Sequence, residues 1–463
     1  MEQKGLSPSR AIFVSRLGGL LAAAGSAIGL GNIWRFPTQV GLNGGSAFLV
    51  VYLVIILLFG IPMLMCEFVI GRRSRVNVAR SYGALSSRRW WNVVGYGSSL
   101  VAYAIFCYYA VIVGWVLYYF WSSLTGSLSD LMVQATAESK AYENYFTGFI
   151  SHPWMPILFL AVTMGIIHFI IVAGVEKGIE RCSKLLVPAL FVIMMMLAVA
   201  AAFMPGAAAG YSFLFDFRIS EVNSDVCLSA LGQCFYSFSI GMGLVTYASY
   251  FTRDTNLTRA AVSVSFLDTF VAILAGLIIF PAVFSVAGAS PAEGAGMVFI
   301  SLPAVFNSAF GASPVLSWII PVAFYFILFV AAVTSAMFLY EVATAFISEK
   351  MGLSRKKTAA LVSGSAFVIG AVSSLSMGPL SDVLKIGGMN LIDFIDMITS
   401  NYVLPLTGLG AALFVGWQMK SEDVLDELSS GGMFKVAMFS TFRVLVRYLL
   451  PLLILGILIR NII

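Results

Sequence analysis

The chain has 463 residues, of which 60% are hydrophobic and only 11% are charged, and its formal net charge is +5. Because a soluble domain carries about 25% charged residues, this composition excludes an ordinary soluble protein and indicates an integral membrane protein. The small positive charge does not indicate a nucleic-acid partner. The sequence has no CxxC, HExxH or Walker motif, so no metal centre or nucleotide-dependent enzyme is predicted.

Eleven apolar segments follow one another along the chain. They are continuous runs of about twenty residues or more, which predicts membrane-spanning helices and not the short alternating strands of a barrel. The first run continues without a small-residue cleavage site, so we expect no separate signal peptide. The predicted spans are residues 12–38, 43–72, 90–121, 154–174, 181–203, 226–251, 258–288, 314–347, 356–377, 389–417 and 434–462.

Basic residues are distributed unequally between the two sides of these spans. One set of loops is short and rich in arginine and lysine, for example around residues 72–89 and 350–357. The loops on the other side carry few cations. Because cytoplasmic loops are enriched in Lys and Arg, the N-terminus is predicted to be cytoplasmic and the C-terminus extracytoplasmic. The predicted outer cations are Lys140, Arg218, Lys385 and Arg460.

Two spans are interrupted by the same short pattern, Ile-Gly-x-Gly. It occurs at residues 28–31 in the first span and at 240–243 in the sixth. Glycine weakens a helix, and lipid cannot hydrogen-bond the backbone groups that a break exposes. A single pair of glycines could merely allow close helix packing. Two matched breaks in two halves of a chain favour a transporter binding site.

The positions of the two breaks also divide the chain into two halves. Spans 1–5, about residues 12–203, and spans 6–10, about residues 226–417, are predicted to form a 5+5 inverted repeat. Span 11, about residues 434–462, lies outside the repeat. The predicted fold is therefore an all-α integral membrane protein with eleven transmembrane helices in one membrane domain, 1–463.

Charged residues inside the membrane are costly and therefore indicate function. Asp268 lies in the interior of span 7, and a carboxylate at that depth needs a cation or a proton. We therefore predict that it binds a cation, while a solvated position is left open for Glu341. The other intramembrane charges are Arg35, Glu67, Asp393 and Asp396.

Several motifs together resemble the neurotransmitter:sodium symporters. They include Gly29-Leu30-Gly31-Asn32 with Trp34-Arg35-Phe36-Pro37, the stretch from Asn43 to Phe48, and Gly60-Ile61-Pro62 with Glu67. The likeness continues at Gly232-Gln233, at 241–250 and at Thr334-Ser335. The likeness covers nearly the whole chain. Within the family, the sequence most resembles the bacterial hydrophobic amino acid transporters. The resemblance implies a sodium-coupled amino acid symporter in the bacterial cytoplasmic membrane, with lipid and substrate but no obligate protein as partners.

The resemblance also implies specific ligands. A first sodium site would use the Ala27 carbonyl, Asn32, Ser237 and Asp268, together with the substrate carboxylate. A second would use the carbonyls of Gly25, Ile28 and Ala331 with the hydroxyls of Thr334 and Ser335. The residues implied to contact substrate are Ser26, Ala27, Gly29, Gly31, Ile105, Tyr109, Tyr236, Ser239, Met242, Ser335 and Leu339.

Two gates are implied in the same way. The outer gate would pair Arg35 with Asp396, with Asp393 left open as the alternative acid. The inner gate would pair Arg10 with Glu349, near Tyr250. In span 5, Gly178 and Pro188 enclose nine residues, which resembles a Gly-x9-Pro pattern in a helix that can unwind.

Three departures from the family pattern refine these expectations. Asp268 stands where many members have asparagine, and Ala272 supplies neither hydroxyl nor carboxylate to a chloride site. A fixed charge on Asp268 would replace chloride, so chloride independence is predicted. Gly29 stands where monoamine carriers have aspartate, which favours a substrate that brings its own carboxylate. A shorter stretch around Met242 favours varied apolar side chains.

The sequence therefore predicts a sodium-coupled importer of aliphatic and aromatic L-amino acids that is not an enzyme. The alternative is a sensor of the same fold that binds an amino acid without transporting it. An ion channel would need a continuous polar pore lining, which these spans lack. The preferred amino acid, the sodium stoichiometry, counter-transport of protons or potassium, and the oligomeric state are left open.

Overall fold

The computed structural model describes residues 11–134, 140–285, 296–311 and 313–462. In these ranges the chain is helical and forms no strand apart from one isolated bridge between Ile386 and Met389. Nine of the helices described are long and apolar enough to cross a membrane. They are Ser46–Ser74, Arg89–Leu124, Met155–Val172, Val175–Ala201, Leu257–Phe284, Pro314–Met351, Arg355–Leu375, Leu391–Gln418 and Phe439–Asn461.

These helices correspond in order to predicted spans 2–5 and 7–11, and we keep those numbers. Span 1 is a bent pair of helices, helix 1a (Arg16–Ala27) and helix 1b (Gly31–Leu42), which meet at 50°. Span 6 consists of helix 6a (Ser224–Ser237) and helix 6b (Leu244–Ala248), each too short to cross a membrane alone. By length and composition the described chain thus has up to ten spans, and the number eleven, which counts span 6, stays a prediction.

Shorter helices connect the spans. On the predicted cytoplasmic side, one links spans 2 and 3 and another links spans 10 and 11. The remainder lie in the connections that the charge pattern predicts to be outside. The bounds are Val78–Ala84, Ser127–Gln134, Lys140–Ile150, Ala207–Phe215, Leu302–Phe310 and Ser421–Ser429.

The break in span 1 begins where Ile28 leaves the helical conformation, with φ −69° and ψ 104°. The break in span 6 is built differently. Gly241 and Gly243 have φ of 82° and 93°, and Ser239 has φ of 52°. Glycine takes up such positive φ values without steric cost. The two glycines of the sixth-span motif are therefore required by the backbone path.

Side-chain caps fix where several helices begin. Ser15 accepts from the Gly18 N–H at 3.0 Å before helix 1a, and Asn223 accepts from the Val226 N–H at 3.0 Å before helix 6a. Asn256 does the same for span 7. Spans 3 and 8 pack along each other at the centre of the molecule, and helix 1a packs against spans 5, 7 and 8. This arrangement places both breaks in the buried interior.

Candidate substrate and cation site

The two breaks enclose a small cavity of about 30 Å³. All eleven residues that sequence comparison assigned to the substrate line this one cavity. They come from both broken spans and from spans 3 and 8, although the chain separates them widely. The residues are Ser26, Ala27, Gly29, Gly31, Ile105, Tyr109, Tyr236, Ser239, Met242, Ser335 and Leu339.

Three further residues line the cavity: Leu30, Ser237 and Phe338. Phe338 is fully buried, and its ring meets that of Tyr247 edge-on with centroids 5.1 Å apart. Sequence reasoning did not assign Phe338 to the substrate. The signal available was its helical spacing, since residues three and four positions after Ser335 share its face of span 8.

Glycine is needed at the first break because other groups approach its backbone closely. A Cβ on Gly29 would lie 2.4 Å from Ser335 Oγ and 3.4 Å from the Tyr109 hydroxyl. A Cβ on Gly31 would lie 3.2 Å from the Tyr236 ring. Any side chain at Gly29 would therefore occupy the space between spans 1 and 8. The Tyr109 hydroxyl also lies 3.4 Å from the Leu30 N–H, at the break itself.

Beside the cavity, three polar side chains form a first cluster. Asp268 is completely buried. Asn32 Nδ2 donates to Asp268 Oδ1 at 2.7 Å and to its backbone oxygen at 3.0 Å. Ser237 Oγ lies 2.9 Å from Asp268 Oδ2 and 3.3 Å from Asn32 Nδ2. The cluster therefore ties spans 1, 6 and 7 together in the interior.

The chemistry of this cluster suits a hard cation. None of the ion pairs found among the described residues involves Asp268. A buried carboxylate without a basic partner is costly, and a bound cation supplies the missing positive charge. In the described ranges, no group of three or more His, Cys, Asp or Glu side chains is arranged so that it could hold a metal ion. Carboxylate, amide and hydroxyl oxygens are ligands for an alkali cation and not for a soft transition metal.

A second cluster of oxygens lies between helix 1a and span 8. Thr334 Oγ1 donates to the Ala331 carbonyl at 2.9 Å and lies 3.4 Å from the Ile28 carbonyl. Ser335 Oγ lies 3.2 Å from the Ile28 oxygen and 3.5 Å from the Gly25 oxygen. In the group assigned to a second sodium site, each of the two hydroxyls is thus within 3.5 Å of two of the three carbonyls. The Gly25 and Ile28 carbonyls are available because helix 1a ends at Ala27, whereas the Ala331 carbonyl belongs to span 8.

The break in span 6 is held from a neighbouring span by a buried carboxylate. The Gly241 N–H donates to Glu67 Oε1 of span 2 at 2.7 Å, and Glu67 Oε2 has no hydrogen-bond partner in the described chain. Thr407 of span 10 donates to the Gly241 carbonyl at 3.2 Å. In span 1, the Gly31 carbonyl accepts from Gln233 Nε2 at 3.3 Å. The sequence indicated Glu67 as a functional candidate because it lies within the membrane. That it accepts a hydrogen bond from the sixth-span break is seen only in the structure.

Above the substrate cavity lies a wider one of about 290 Å³, lined by both members of the predicted outer gate. The Arg35 guanidinium lies 4.4 Å from the Tyr236 ring centroid. Asp396 accepts from the Tyr108 hydroxyl at 2.7 Å. Within the described residues, Arg35 and Asp396 face the same cavity without a direct ion pair. Asp393 also lines it and accepts from Asn390 Nδ2 at 2.8 Å.

On the inner side, Arg10 lies outside the described residues. Glu349, its predicted partner, accepts from Asn77 Nδ2 at 2.6 Å. The hydroxyl of Tyr250 donates to Glu341 Oε1 at 2.6 Å, and Arg355 Nη2 lies 2.5 Å from Glu341 Oε2. Glu341 is completely buried. The solvated position left open for Glu341 is therefore wrong, because two donors satisfy it in the interior.

The predicted weak point of span 5 lies next to the start of helix 1a. Gly178 lies in a π-helical turn, Val175–Glu180, and Pro188 lies inside the helix that follows. Glu180 accepts from the Val14 N–H at 2.7 Å and from the Ser15 hydroxyl at 2.8 Å. The same carboxylate pairs with Lys184 at 2.7 Å. The irregular turn of span 5 is therefore bonded directly to the first residues of span 1.

Two broken spans that enclose a cavity, beside buried oxygen groups of the kind that bind a hard cation, are typical of a membrane transporter. The family model described as the sodium:neurotransmitter symporter family matches residues 10–146 and 146–463. The chain therefore belongs to the sodium:neurotransmitter symporter family and is a sodium-dependent, multi-pass membrane transporter. Because the family consists of transporters, the prediction that the protein is not an enzyme is confirmed.

Individual relatives agree with this membership. The chain is 35% identical over 442 residues to an uncharacterized sodium-dependent transporter, YhdH, of Bacillus subtilis, with 95% of each chain covered. It is 34% identical over 464 residues to an uncharacterized sodium-dependent transporter of Haemophilus influenzae, with 98% of each covered. It is also similar to the crystal structure of MhsT in complex with L-phenylalanine, with a TM-score of 0.87 and 40% identity. That match covers 98% of this chain and 100% of MhsT.

Proposed function

We propose that the protein imports hydrophobic L-amino acids together with sodium by alternating access. The observation that carries this proposal is Asp268, a buried carboxylate without a basic partner in the described chain, beside a cavity between two broken helices. A bound sodium ion would neutralise that charge, and an amino acid in the cavity would lie next to it. Cation and substrate would therefore favour each other's binding.

The cavity wall supports a hydrophobic side chain with free amino and carboxylate groups. Ile105, Met242 and Leu339 supply apolar surface, and all three are buried. The N-terminal end of helix 1b carries partial positive charge that suits a carboxylate. The Tyr109 hydroxyl at this break would donate to the same carboxylate. That MhsT is known in complex with L-phenylalanine supports this substrate class.

We propose two sodium sites. In the first, the Ala27 carbonyl, Asn32, Ser237 and Asp268 would hold the ion with the substrate carboxylate. Asn32 now donates its amide to Asp268, so it would turn its amide oxygen toward the ion. In the second, the hydroxyls of Thr334 and Ser335 would exchange their hydrogen bonds to carbonyls for contacts to sodium. The carbonyls involved there are those of Gly25, Ile28 and Ala331.

Chloride independence follows from the same carboxylate. An asparagine in place of Asp268 would leave the sodium charge uncompensated, and a chloride ion would then be needed. Ala272, on the same span as Asp268 and fully buried, offers no group to bind such an anion. With sodium bound, the Asp268 carboxylate would supply the negative charge from the protein itself, so uptake is expected to proceed at full rate when chloride is replaced by gluconate.

Alternating access would use the contacts at the two ends. Arg35 and Asp396 would close the outer cavity over Tyr109 and Tyr236, while Arg10 and Glu349 would close the inner side. Inward sodium flow supplies about 2.3 kcal/mol per charge for each 100 mV of membrane potential. We place the protein in a bacterial cytoplasmic membrane, with the N-terminus inside, because of the loop charges and the bacterial relatives.

Uptake into proteoliposomes tests the proposal. Purified protein is reconstituted, and radiolabelled leucine and phenylalanine are supplied under inward sodium or potassium gradients, with chloride present or replaced. Accumulation that requires sodium and not chloride is the expected result. Sodium-dependent binding without accumulation would instead identify a non-transporting sensor, and a chloride requirement would contradict the role given to Asp268.

A further inference from the structure

A cavity of about 520 Å³ lies outside the substrate cavity, at the ends of spans 3 and 8, and the proposed inner-gate residue Glu349 forms part of its wall. The linker helix Val78–Ala84 forms its third wall. Three cationic side chains line it, Arg80, Arg89 and Lys350, against a single acidic one, Glu349. The loop charges predict that this end of the molecule is cytoplasmic. We call it the basic cavity.

Within the described residues, the three cations of the basic cavity form no direct ion pair. Arg80, Arg89 and Lys350 are exposed, and the ion pairs of the described chain involve other basic residues. The one carboxylate, Glu349, already accepts from Asn77 Nδ2 at 2.6 Å. Three guanidinium and ammonium groups thus face one space together with a single carboxylate, so positive charge is in excess there.

The cavity is also held in shape. The Gly83 N–H donates to Asn92 Oδ1 at 2.7 Å, which fastens the linker helix to the start of span 3. Lys350 Nζ lies 5.3 Å from the Phe346 ring centroid and 5.8 Å from that of Tyr96. Cation–π attraction to two rings keeps the ammonium group at the cavity. The ammonium group of Lys350 is therefore positioned by the surrounding structure.

A stripe of exposed apolar side chains begins at the cavity and follows span 3 into the membrane. Trp90, Val93, Tyr96 and Leu100 are 58%, 70%, 44% and 66% exposed. Their spacing of three or four residues places them on one face of the helix. Tyr96 belongs to both features, because it lines the cavity and continues the stripe. On a membrane span, such a face contacts lipid acyl chains, and Trp and Tyr mark the interface.

We propose that the basic cavity binds the phosphate headgroup of an anionic phospholipid from the cytoplasmic leaflet, with an acyl chain along the stripe. Arginine forks match phosphate oxygens, and lysine contributes a point charge. Basic pockets between membrane helices at the cytoplasmic surface bind anionic headgroups for this reason. A soluble anion would need only the cavity. Because the apolar stripe adjoins the cavity, the two together suit a molecule with both a phosphate group and an acyl chain.

Lipid titration tests this site independently of transport. The full-length protein, delipidated in neutral detergent, is titrated with phosphatidylglycerol or phosphatidylcholine, and bound lipid is counted by native mass spectrometry. The variant Arg80→Gln/Arg89→Gln/Lys350→Gln is expected to bind phosphatidylglycerol about tenfold more weakly. The matched control Arg259→Gln/Lys356→Gln/Lys357→Gln removes three exposed cations that do not line the cavity, and should change binding less than about twofold.

Several results would overturn the proposal. Equal loss in both triple variants would mean general attraction to a basic surface. Equal binding of the two lipids would remove the need for a cationic site. Competition by inorganic phosphate or glycerol 3-phosphate at lipid-like concentrations would assign the cavity to a soluble anion. Should the triple variant aggregate, Arg89→Gln and Lys350→Gln carry the test singly, and unchanged phosphatidylglycerol binding in both would refute the site.

Discussion

Asn32 and Asp268 bond directly to each other, with Asn32 Nδ2 2.7 Å from Asp268 Oδ1, across 236 residues of sequence. Asn32 also accepts from the Gly29 N–H at 3.0 Å. The conformation of the first break is thus connected through one side chain to the buried carboxylate of span 7. A change in the charge of Asp268 should therefore alter, through Asn32, the hydrogen bond of Gly29, which lines the substrate cavity.

Asp268→Asn is expected to weaken sodium-coupled uptake, because an amide does not neutralise the ion. The apparent sodium affinity should fall about tenfold or more, which corresponds to about 1.4 kcal/mol or more. Alternatively, the variant should regain sodium-coupled uptake only when chloride is present. Initial rates against sodium concentration, in chloride and in gluconate, measure both effects. Asp225→Asn, at a 76% exposed side chain, is the control. A variant identical to wild type in both anions would disprove the assignment.

Gly29→Ala should reduce uptake at least about tenfold, because its Cβ would lie 2.4 Å from Ser335 Oγ. The displaced hydroxyl lies near two carbonyls of the proposed second sodium site, so apparent sodium affinity should fall as well. Gly165→Ala adds the same methyl group to span 4, with no neighbouring atom within 4 Å. That control should transport normally. Comparable losses in the two variants would mean that added bulk in any span is harmful.

Glu67→Met should disrupt the sixth-span break, because it removes the acceptor of the buried Gly241 N–H. An unpaired buried donor costs about 1–3 kcal/mol. Glu67→Gln keeps an oxygen that can accept this bond, so its stability and its uptake should lie between those of Glu67→Met and wild type. Thermal stability in detergent and sodium-dependent uptake are measured for all three proteins. If Met and Gln behave alike, the carboxylate acts through its charge and not as an acceptor for Gly241.

Phe338→Leu should widen the range of accepted substrates, because Phe338 lines the cavity and is fully buried. Removing ring volume beside Tyr247 leaves space for a larger substrate side chain. Competition experiments should show tryptophan gaining about threefold or more over leucine as an inhibitor of uptake, which is below the 10–200-fold that one methylene can supply in an apolar pocket. Phe324→Leu, equally buried in span 8 but outside the cavity, is the control. Unchanged selectivity would remove Phe338 from the binding surface.

Arg72→Met should destabilise the protein strongly. Arg72 Nε lies 2.5 Å from Glu427 Oε1, and both side chains are buried. Removing one partner of such a pair costs about 3–5 kcal/mol, while Arg72→Met/Glu427→Met should recover much of it. Thermal unfolding of the single and double variants measures the coupling. Asp254→Asn, in an exposed pair with Arg16, should change stability by less than about 1 kcal/mol. An unrecovered double variant would show that packing, and not charge, is responsible.

Most of the fold was predictable because apolar length and loop charge are strong signals. Nine predicted spans recur as single helices whose ends lie close to the predicted ones. The break in span 1 was predicted from glycines, and the structure adds its 50° bend. Span 6 does not appear as one long helix. Gly241 and Gly243, with positive φ, divide it into two helices that are each too short to cross a membrane.

The site was predictable where a motif fixes residue types and was not where only packing decides. The eleven assigned substrate residues meet in one cavity because the family motifs were specific. Phe338 and the Glu67–Gly241 bond carry no such signature. Tyr250 shows the limit most clearly. Its hydroxyl donates to Glu341, about two helical turns before Glu349 in span 8, and no motif in the sequence indicated that bond. The inner gate near Tyr250 and Glu349 stays a prediction.

The Arg72–Glu427 pair also has a consequence for how the chain is made. Its two members are 355 residues apart. At 5–20 residues per second, roughly 20–70 s separate their synthesis on the ribosome. During that interval Arg72 has already been produced while its buried partner does not yet exist. Until the segment after span 10 has been made, Arg72 at the end of span 2 lacks this carboxylate as its counter-charge. A chain truncated before Glu427 would consequently carry Arg72 without this buried counter-charge throughout.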